Sequence, residues 1–560
     1  MIERSKLRWN GWGWAAHEDG IGSRAEVWAW LAAELGMPSL LATPARPLDE
    51  IALPAPRLTA SERNILNAIL GADRVRDSAY ERAFHAYGRS YYDLLRLRDG
   101  KITAAPDAVV YPRSASEVLK VLAFASEAMV AVIPYGGGTS VVGGVSAVSG
   151  PFNAALSVDV TALNNLIGID ADSRTAMAEA GIYGPALEKA LEVKGFTLGH
   201  YPQSFEFSTL GGWIAHRGAG QTSDRYGRAD DWLVSAELAT PRGMLRNGDF
   251  PASAAGPNIA DLVAGSEGIF GIITRATVRI RPVPERVMSR AYLFHDFAAG
   301  TNAIREAAHS EIPIAMLRLS DAEETRFYRA FGEIGKSRSI KDSIADMVLS
   351  SRKFGTEACI LIAAYEGDVD TVDFARKRFD RIAKSLGAMA LGSGPGDRWR
   401  ERRFQAPYMR DPMMDRGLGV DTLETATSWS RLPALYEAVK KALTDSISAS
   451  VPRPGARGIV MCHISHSYPD GASLYFTYIF PRTLNGGDIP QWQAIKKAAS
   501  DAIVAHGGTI SHHHGVGEDH LPWIAQEKGA LGLDVLRAVK SALDPKGILN
   551  PGKLIPPALP

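Results

Sequence analysis

Apolar residues recur at three- and four-residue spacing through ASERNILNAILG (60–71) and SAYERAFHAYGRSYYDLLRLRDG (78–100), so residues 1–100 are expected to be mostly helical, with breaks at Gly71 and Gly100. From Pro106 the pattern changes. VVYPRSASEVLKVLAFASEAMVAVIPYGGG (109–138) predicts strand, helix, strand and glycine loop. Ser114 and Ser116 stand where a helix cap belongs, and Glu117 follows Ser114 by three residues. Short strands are expected in AALSVDV, LIGIDADS and RTAMAEAG, then a helix opened by Pro185 and closed by Gly195. IADLVAGSEGIFGIITRATVRIRP (259–282) predicts helix, glycine turn and strand, and the prolines of RPVPE (281–285) mark a boundary. Beyond it, strands in RAYLFHDF, ACILIAAYE, GIVMCHISHSY and SLYFTYIF alternate with long helices to about residue 480. The tail from about 487 is helical apart from HGGTISHHHGVG.

A chain of 560 residues is too long for one compact core. Its 62 basic residues balance 62 acidic ones, which gives no footprint for nucleic acid. Two cysteines, Cys359 and Cys462, cannot build a disulfide framework or a thiolate metal cluster. No run of 18 apolar residues occurs, the N-terminus lacks the apolar core of a signal peptide, and IPPALP is no peroxisomal tripeptide. A cytoplasmic location is expected.

The candidate chemistry begins at Pro134-Tyr135-Gly136-Gly137-Gly138-Thr139-Ser140, after an apolar strand. Three glycines allow a tight turn that brings several N–H groups to one point, a cradle for a pyrophosphate. The same loop could simply turn the chain. It is neither a Rossmann fingerprint nor a Walker loop. Two more glycine-rich segments, Ser208–Gly212 and Gly265–Gly271, point to one extended ligand touched at several places.

YGGGTS, EFSTLGGWIAHRGAG and GSEGIFGIIT, in this order, resemble the FAD-binding domain of the vanillyl-alcohol oxidase and para-cresol methylhydroxylase superfamily. The resemblance implies an α+β fold: a helical N-terminal region (1–100), a para-cresol methylhydroxylase-type FAD-binding domain (101–285), a second α+β substrate or cap domain (286–486) and a helical C-terminal segment (487–560). It also implies FAD contacts in three spans. Pro134, Tyr135, Gly136, Gly137, Gly138, Thr139 and Ser140 would meet the pyrophosphate. Gln203, Ser204, Phe205, Glu206, Phe207, Ser208 and Thr209, with His216, Arg217, Gly218 and Ala219, would flank the flavin and ribityl chain. Glu267, Gly268, Ile269, Phe270, Gly271, Ile272 and Ile273 would hold the adenosine or ring region. The first loop has no histidine or cysteine, so noncovalent FAD is expected.

Within that superfamily WNGWG (9–13), HYPQSFEFSTLGGWIAHRGAG (200–220), PYMRDPMM (407–414), DTLETATSW (421–429), LYFTYIF (474–480) and SHHHGVG (511–517) are similar to alkyldihydroxyacetonephosphate synthases. That family replaces the acyl chain of acyl-dihydroxyacetone phosphate by a long-chain alcohol, with no net redox at the flavin. The resemblance implies Tyr475 as a proton-moving phenol, with Tyr478 on the other strand face, and His512, His513, His514 and His200 as further catalytic groups. It implies Arg410 as a two-pronged anion binder and Arg318 as a substrate-orienting or structural residue. Each has a plainer alternative: a packed aromatic, a solvated histidine cluster, an Arg410–Asp411 ion pair. The family also implies a homodimer. The basic, helix-prone stretch 330–355 could rest on a membrane or simply be a solvated surface helix.

LDPKGILNPGKLI (543–555) is similar instead to FAD-linked 2-hydroxyacid dehydrogenases, the rival reading. Those relatives carry a GHxxDGNxH metal pattern and a Glu-His-Gly acid. Here only Cys462-His463 and Asp470-Gly471 survive of the first, and His513-His514-Gly515 replaces the second, so no bound metal is expected.

Overall fold

The computed structural model describes residues 2–17, 22–148, 150–334, 351–352 and 354–556. Most of the 330–355 stretch read as a membrane-facing or surface helix lies outside the described residues.

The first sheet is built from β1 (Val75–Arg76), β2 (Ala108–Val110), β3 (Val130–Tyr135) and β4 (Ala154–Asp159), in the order β1-β2-β4-β3. β2 and β3 run parallel to β4, so β2 and β3 need a crossover, and the helix Ala115–Ala128 supplies it. The Ser114 side chain caps that helix by accepting from the Glu117 N–H. Buried Val118, Val121, Leu122 and Ala125 face the sheet. The glycine loop leaves the C-terminal end of β3, the side of an open parallel sheet where ligands bind. The outer edge of β3 is covered by the chain's tail: Val132 N–H donates to Ile548 O and Asn550 N–H donates to Val132 O, each at 2.8 Å.

A second sheet is antiparallel throughout. It holds β5 (Leu166–Asp170), β6 (Thr175–Glu179), β8 (Leu233–Thr240), β9 (Gly243–Arg246) and β10 (Ile272–Arg279), ordered β5-β6-β10-β8-β9. β7 (Phe196–Thr197) and β11 (Arg281–Pro282) form a two-stranded ribbon.

Among the described residues the third sheet has seven antiparallel strands: β12 (Arg286–Phe294), β13 (Met316–Ser320), β14 (Cys359–Gly367), β15 (Met389–Gly392), β16 (Leu418–Ser428), β17 (Ile459–Ser467) and β18 (Gly471–Pro481). Their order is β15-β12-β14-β13-β17-β18-β16. Alternation decides what each face does. Ala472, Leu474, Phe476, Tyr478 and Phe480 of β18 enter the main core with Leu435, Val439, Trp492 and Ile495 from the helices Leu432–Ser450 and Asp488–Ala505. The odd-numbered residues of β18 face the other way. Ile479 joins Leu418, Ile459 and Met461 in an apolar lane under Trp28, Phe327 and Met413, and Tyr475 lies farther along the same face.

Two sequence expectations need adjustment. Strands β1, β7, β8, β9, β13, β15 and β16 were not anticipated. The first hundred residues do contain the helices Ala25–Glu34, Ala60–Leu70, Ala79–Phe84 and Tyr91–Arg98. Between Leu35 and Thr59, however, regular structure is limited to one three-residue turn, because Pro38, Pro44, Pro47, Pro54 and Pro56 deny the backbone its helical donors.

Candidate active site

The glycine cradle is close-packed in a way that only glycine permits. A Cβ on Gly137 would lie 1.8 Å from Phe207 O, and one on Gly136 would lie 2.4 Å from Thr209 Oγ1, while Gly138 adopts φ +70°. Arg4 fixes the loop from behind. It donates to Gly136 O at 2.5 Å and pairs with fully buried Asp159 at 2.6 Å. Ser140 accepts at its carbonyl from Arg89 N–H (2.6 Å) and at Oγ from Gly144 N–H (2.9 Å). Around this loop Thr209 Oγ1, His216 Nε2, Ser266 Oγ and Ser146 Oγ are buried without hydrogen-bond partners among the described residues. Buried polar atoms are normally satisfied, so this cluster of orphans beside a glycine cradle fits a polar ligand of dinucleotide kind.

The other residues of the three spans divide by what they already touch. Tyr135 is a core residue, its hydroxyl donating to Phe84 O. Phe205 packs on Trp213 and Phe404, and Phe207 on Trp12, Trp14 and Tyr408. Ser208 Oγ accepts from Trp213 Nε1 at 2.7 Å, and Gln203 meets Gln221. Burial raises the half-exposed Glu206 carboxyl above its ordinary range. Arg217 is tied to Ala264 O and Asp261 O. Glu267 is turned inward, accepting from Val516 N–H (2.6 Å) and Gly517 N–H (2.7 Å), so it splices the third glycine segment to the histidine run. Ile269, Phe270, Ile272 and Ile273 are buried in apolar clusters, which leaves backbone as their means of touching a ligand. The tail belongs to the same assembly: Asn550 Nδ2 donates to Gly144 O (3.0 Å) and Glu267 O (2.6 Å), and Lys553 pairs with Glu518 at 2.7 Å. The Asn-Pro-Gly-Lys signature is therefore a brace for the glycine loops.

The other end of the site forms where three strands meet the histidine run. Strand register places Tyr475 between Glu424 on β16 and His463 on β17. Its ring lies 5.0 Å from His463, 5.6 Å from His514 and 6.1 Å from His513. Burial pushes its phenol up from the ordinary value. Tyr478, on the opposite face, is core, with its hydroxyl on Asp421. Glu424 is 1% exposed and accepts from the backbone N–H of all three histidines: His512, His513 at 3.1 Å and His514 at 2.7 Å. Ser511 Oγ donates to it as well, at 2.8 Å. Burial opposes its charge, yet the surrounding histidine segment, whose backbone N–H groups point at it, holds its carboxyl well below the usual range. Burial in turn pulls His513 down to about 3 and His512 and His514 below their ordinary value, so the imidazoles are neutral.

Arg410 has no carboxylate partner among the described residues; it donates to Arg89 O at 2.7 Å. The neighbouring Asp411 belongs to other groups, pairing with Arg8 (3.2 Å) and Arg98 (3.8 Å) and accepting from Trp12 N–H (2.9 Å). The guanidinium is thus available for an anion. Arg318 is not free in this way. It bonds Glu324 at 2.9 Å, Ser320 at 3.0 Å and His463 at 3.0 Å, bracing the ring beside Tyr475. His200 is 1% exposed, packs on Trp213 and Trp232, and has no partner on either nitrogen among the described residues. Burial takes it down to about 3, which keeps it neutral.

Glu424, His463, His466 and Tyr468 were not singled out as site residues from the sequence. The one signal for Glu424 was its place inside DTLETATSW, a segment the family resemblance already covered. In space, Glu424 is the carboxylate on which the histidine run is anchored. His466, His512 and His513 bring one ring nitrogen each within 4.8 Å of one another. Both nitrogens of His466 and His512 are engaged, His466 with Gly220 O and Ser465 Oγ and His512 with Tyr468 and His513, whereas His513 is engaged at Nδ1.

A cradle of unpartnered polar atoms joined to a sheet bearing reactive side chains defines a two-domain flavoprotein. Residues 106–248 match the family described as FAD binding domain, and residues 283–554 match FAD linked oxidases, C-terminal domain. FAD is the cofactor. The fold is that of p-cresol methylhydroxylase, whose substrate-bound structure superposes with a TM-score of 0.66 over 90% of this chain and 98% of that one, at 17% identity. The chain belongs to the alkyldihydroxyacetonephosphate synthase family. It is 36% identical to the alkyldihydroxyacetonephosphate synthase of Dictyostelium discoideum over 92% of this chain and 84% of that protein. A solved alkyldihydroxyacetonephosphate synthase, 32% identical, covers 99% of this chain and 100% of that one with a TM-score of 0.84.

Proposed function

We propose that this protein is an FAD-dependent ether-lipid synthase that replaces the acyl chain of acyl-dihydroxyacetone phosphate by a long-chain alcohol. The ester carbon–oxygen bond breaks, a fatty acid leaves, and the alcohol oxygen forms the ether bond, with no electron acceptor consumed. The observation that carries this reading is Tyr475 within ring contact of His463, His513 and His514, in a chain similar along nearly its whole length to synthases of that name. The rival hydroxyacid dehydrogenase reading loses its main support, since the tail that suggested it braces the glycine loops.

FAD supplies, when bound, the nucleophilic centre that lets one substituent leave the substrate carbon before the other arrives. The chain's own residues do the rest. Thr209, His216 and Ser266 offer unpartnered polar atoms to the dinucleotide. The glycine loop has no histidine or cysteine, which supports noncovalent attachment. Arg410 grips the substrate phosphate with two parallel N–H donors. Tyr475 and the neutral imidazoles of His513 and His514 move the proton lost and regained at the substrate carbon, and ionised Glu424 stabilises the imidazolium formed in passing. Among the described residues no helix is long and apolar enough to cross a membrane. Substrates with long alkyl chains favour access from a membrane surface, and the family resemblance supports a homodimer.

The deciding experiment is anaerobic incubation of the yellow protein with palmitoyl-dihydroxyacetone phosphate and deuterated hexadecanol. Deuterated ether at catalytic yield is the expected result. No ether, together with bleaching of the flavin by a 2-hydroxyacid, would overturn the assignment.

A further inference from the structure

Three side chains, buried His512 and half-buried His513 and Tyr468, are strung between the reaction end and the protein surface. His513 Nδ1 lies 2.9 Å from His512 Nδ1, and His512 Nε2 lies 2.5 Å from the Tyr468 hydroxyl. Tyr468 is half-buried and is followed by exposed Pro469 and Asp470, so it stands at the rim. His513 Nε2 has no hydrogen-bond partner among the described residues, and its ring faces Tyr475.

A neutral imidazole carries one proton, which permits only two arrangements of this chain. In one, His513 donates from Nδ1 to His512, and His512 donates from Nε2 to Tyr468. In the other, Tyr468 donates to His512 Nε2 and His512 donates from Nδ1 to His513. We propose that the protein uses this pair of arrangements as a proton relay, with Tyr468 as its outlet to solvent. A proton accepted at His513 Nε2 releases the Nδ1 proton to His512 Nδ1. His512 releases its Nε2 proton to the Tyr468 oxygen, and Tyr468 gives its own hydroxyl proton to water. One proton leaves the site, each ring ends neutral, and the chain has passed from the first arrangement to the second. The reverse passage returns the proton.

The surroundings suit this use. Backbone N–H groups of His512 and His513 are anchored on Glu424, so the rings keep their order. The Glu424 carboxylate lies 3.8 Å from His513 Nδ1 and supports the transient cation. Arg228 donates to His512 O at 3.1 Å and pins the same segment from the Tyr468 side. Burial keeps His513 and His512 neutral at rest, the form able to accept a proton. Tyr468 acts through the histidines, so its role is positioning and conduction.

The relay depends on the proposed activity only for the proton it carries. In FAD-loaded Tyr468→Phe, ether formation should fall at least about tenfold while the flavin spectrum is kept. Free imidazole should then restore the rate in proportion to its concentration and leave the wild type unchanged. Tyr468→His, which keeps a proton carrier, should stay within a few fold of wild type. A slowed phenylalanine variant that ignores imidazole, an unslowed one, or a histidine variant as slow as the phenylalanine one would each overturn the relay. If the phenylalanine variant fails to fold, the histidine variant decides alone. The wild-type ether assay, run alongside, separates this claim from the functional reading. If the wild type makes no ether, histidine-labelled NMR judges the chain by itself: a low-field N–H signal lost in Tyr468→Phe upholds it, and a signal unchanged or absent in wild type overturns it.

Discussion

The two ends of the site are built on opposite principles. At the glycine cradle the backbone is closely packed, and Thr209 Oγ1, His216 Nε2 and Ser266 Oγ are left without partners. At the reaction end the histidine run is tied down by one carboxylate, Glu424, which holds three consecutive backbone N–H groups and a hydroxyl. Unpaired buried groups gain free energy only when a ligand arrives, so the cradle is built for affinity. A fixed polar network holds reacting groups in place before the substrate comes, so the other end is built for rate. Substitutions at one end should therefore spare the property of the other.

The largest expected effect is at Tyr475. Tyr475→Phe keeps the ring stacked on His463 and removes the hydroxyl alone. The turnover number should fall by about 10²- to 10⁴-fold, the usual worth of a positioned acid or base, while flavin absorbance per protein is unchanged. Full activity would return Tyr475 to the role of a packed strand aromatic. Gly137→Ala should do the reverse. Its Cβ would sit 1.8 Å from a backbone oxygen that cannot swing away, so the loop must part from Phe207 at about 1–3 kcal/mol. The purified protein should be pale, and dialysis against excess FAD should recover turnover in the fraction that becomes yellow. A yellow variant with wild-type FAD retention would break the assignment of the cradle.

Arg410→Lys sharpens the contrast at intermediate size. An ammonium keeps the charge but cannot present two parallel donors. Charge-assisted hydrogen bonds are worth about 1.5–3 kcal/mol, so kcat/KM should fall roughly tenfold to hundredfold with FAD content intact. If Arg410 merely anchors Arg89 O, the lysine variant should lose thermal stability and flavin together, at near-normal activity per flavin.

The contrast also explains what the sequence disclosed. The cradle is local chemistry: a strand, three glycines and a capped helix lie in one stretch, from Ser114 to Ser140, and each is visible as it stands. Tyr475, Arg410 and the histidine run were reached by resemblance, since nothing local says that residues 410, 475 and 512–514 converge. Glu424 stayed hidden for a physical reason. Its strand, LGVDTLETATS, carries buried acids on both faces, Asp421 toward Tyr478 and Trp492 and Glu424 toward the histidines. Polar residues on both faces erase the period of two by which a half-buried strand is recognised. Tyr468 and His512 are 44 positions apart, and only folding makes them a pair.

The smallest effect on turnover is expected at the brace beneath the reaction end. Burial would raise the Glu324 carboxyl, but Arg318 and His463 overcome it and hold it at about 2, against an ordinary 4.5. A depressed carboxyl stabilises the fold while ionised. Its contribution is complete above pH 4.5 and is lost as pH falls through 4.5 toward 2, on the order of 3 kcal/mol across that window. Glu324→Gln has no such proton to bind. It should start less stable at neutral pH, because Arg318 and His463 lose their anion, and its stability should then fall less steeply in acid than that of the wild type. Urea unfolding followed by tryptophan fluorescence at pH 6 and at pH 3.5 measures both slopes. Converging curves at low pH would place the acid-sensitive support of Tyr475 in this brace. Parallel curves would mean that Arg318 and Glu324 are paired without being coupled to the fold, and Arg318 would again be open to a direct part in holding substrate.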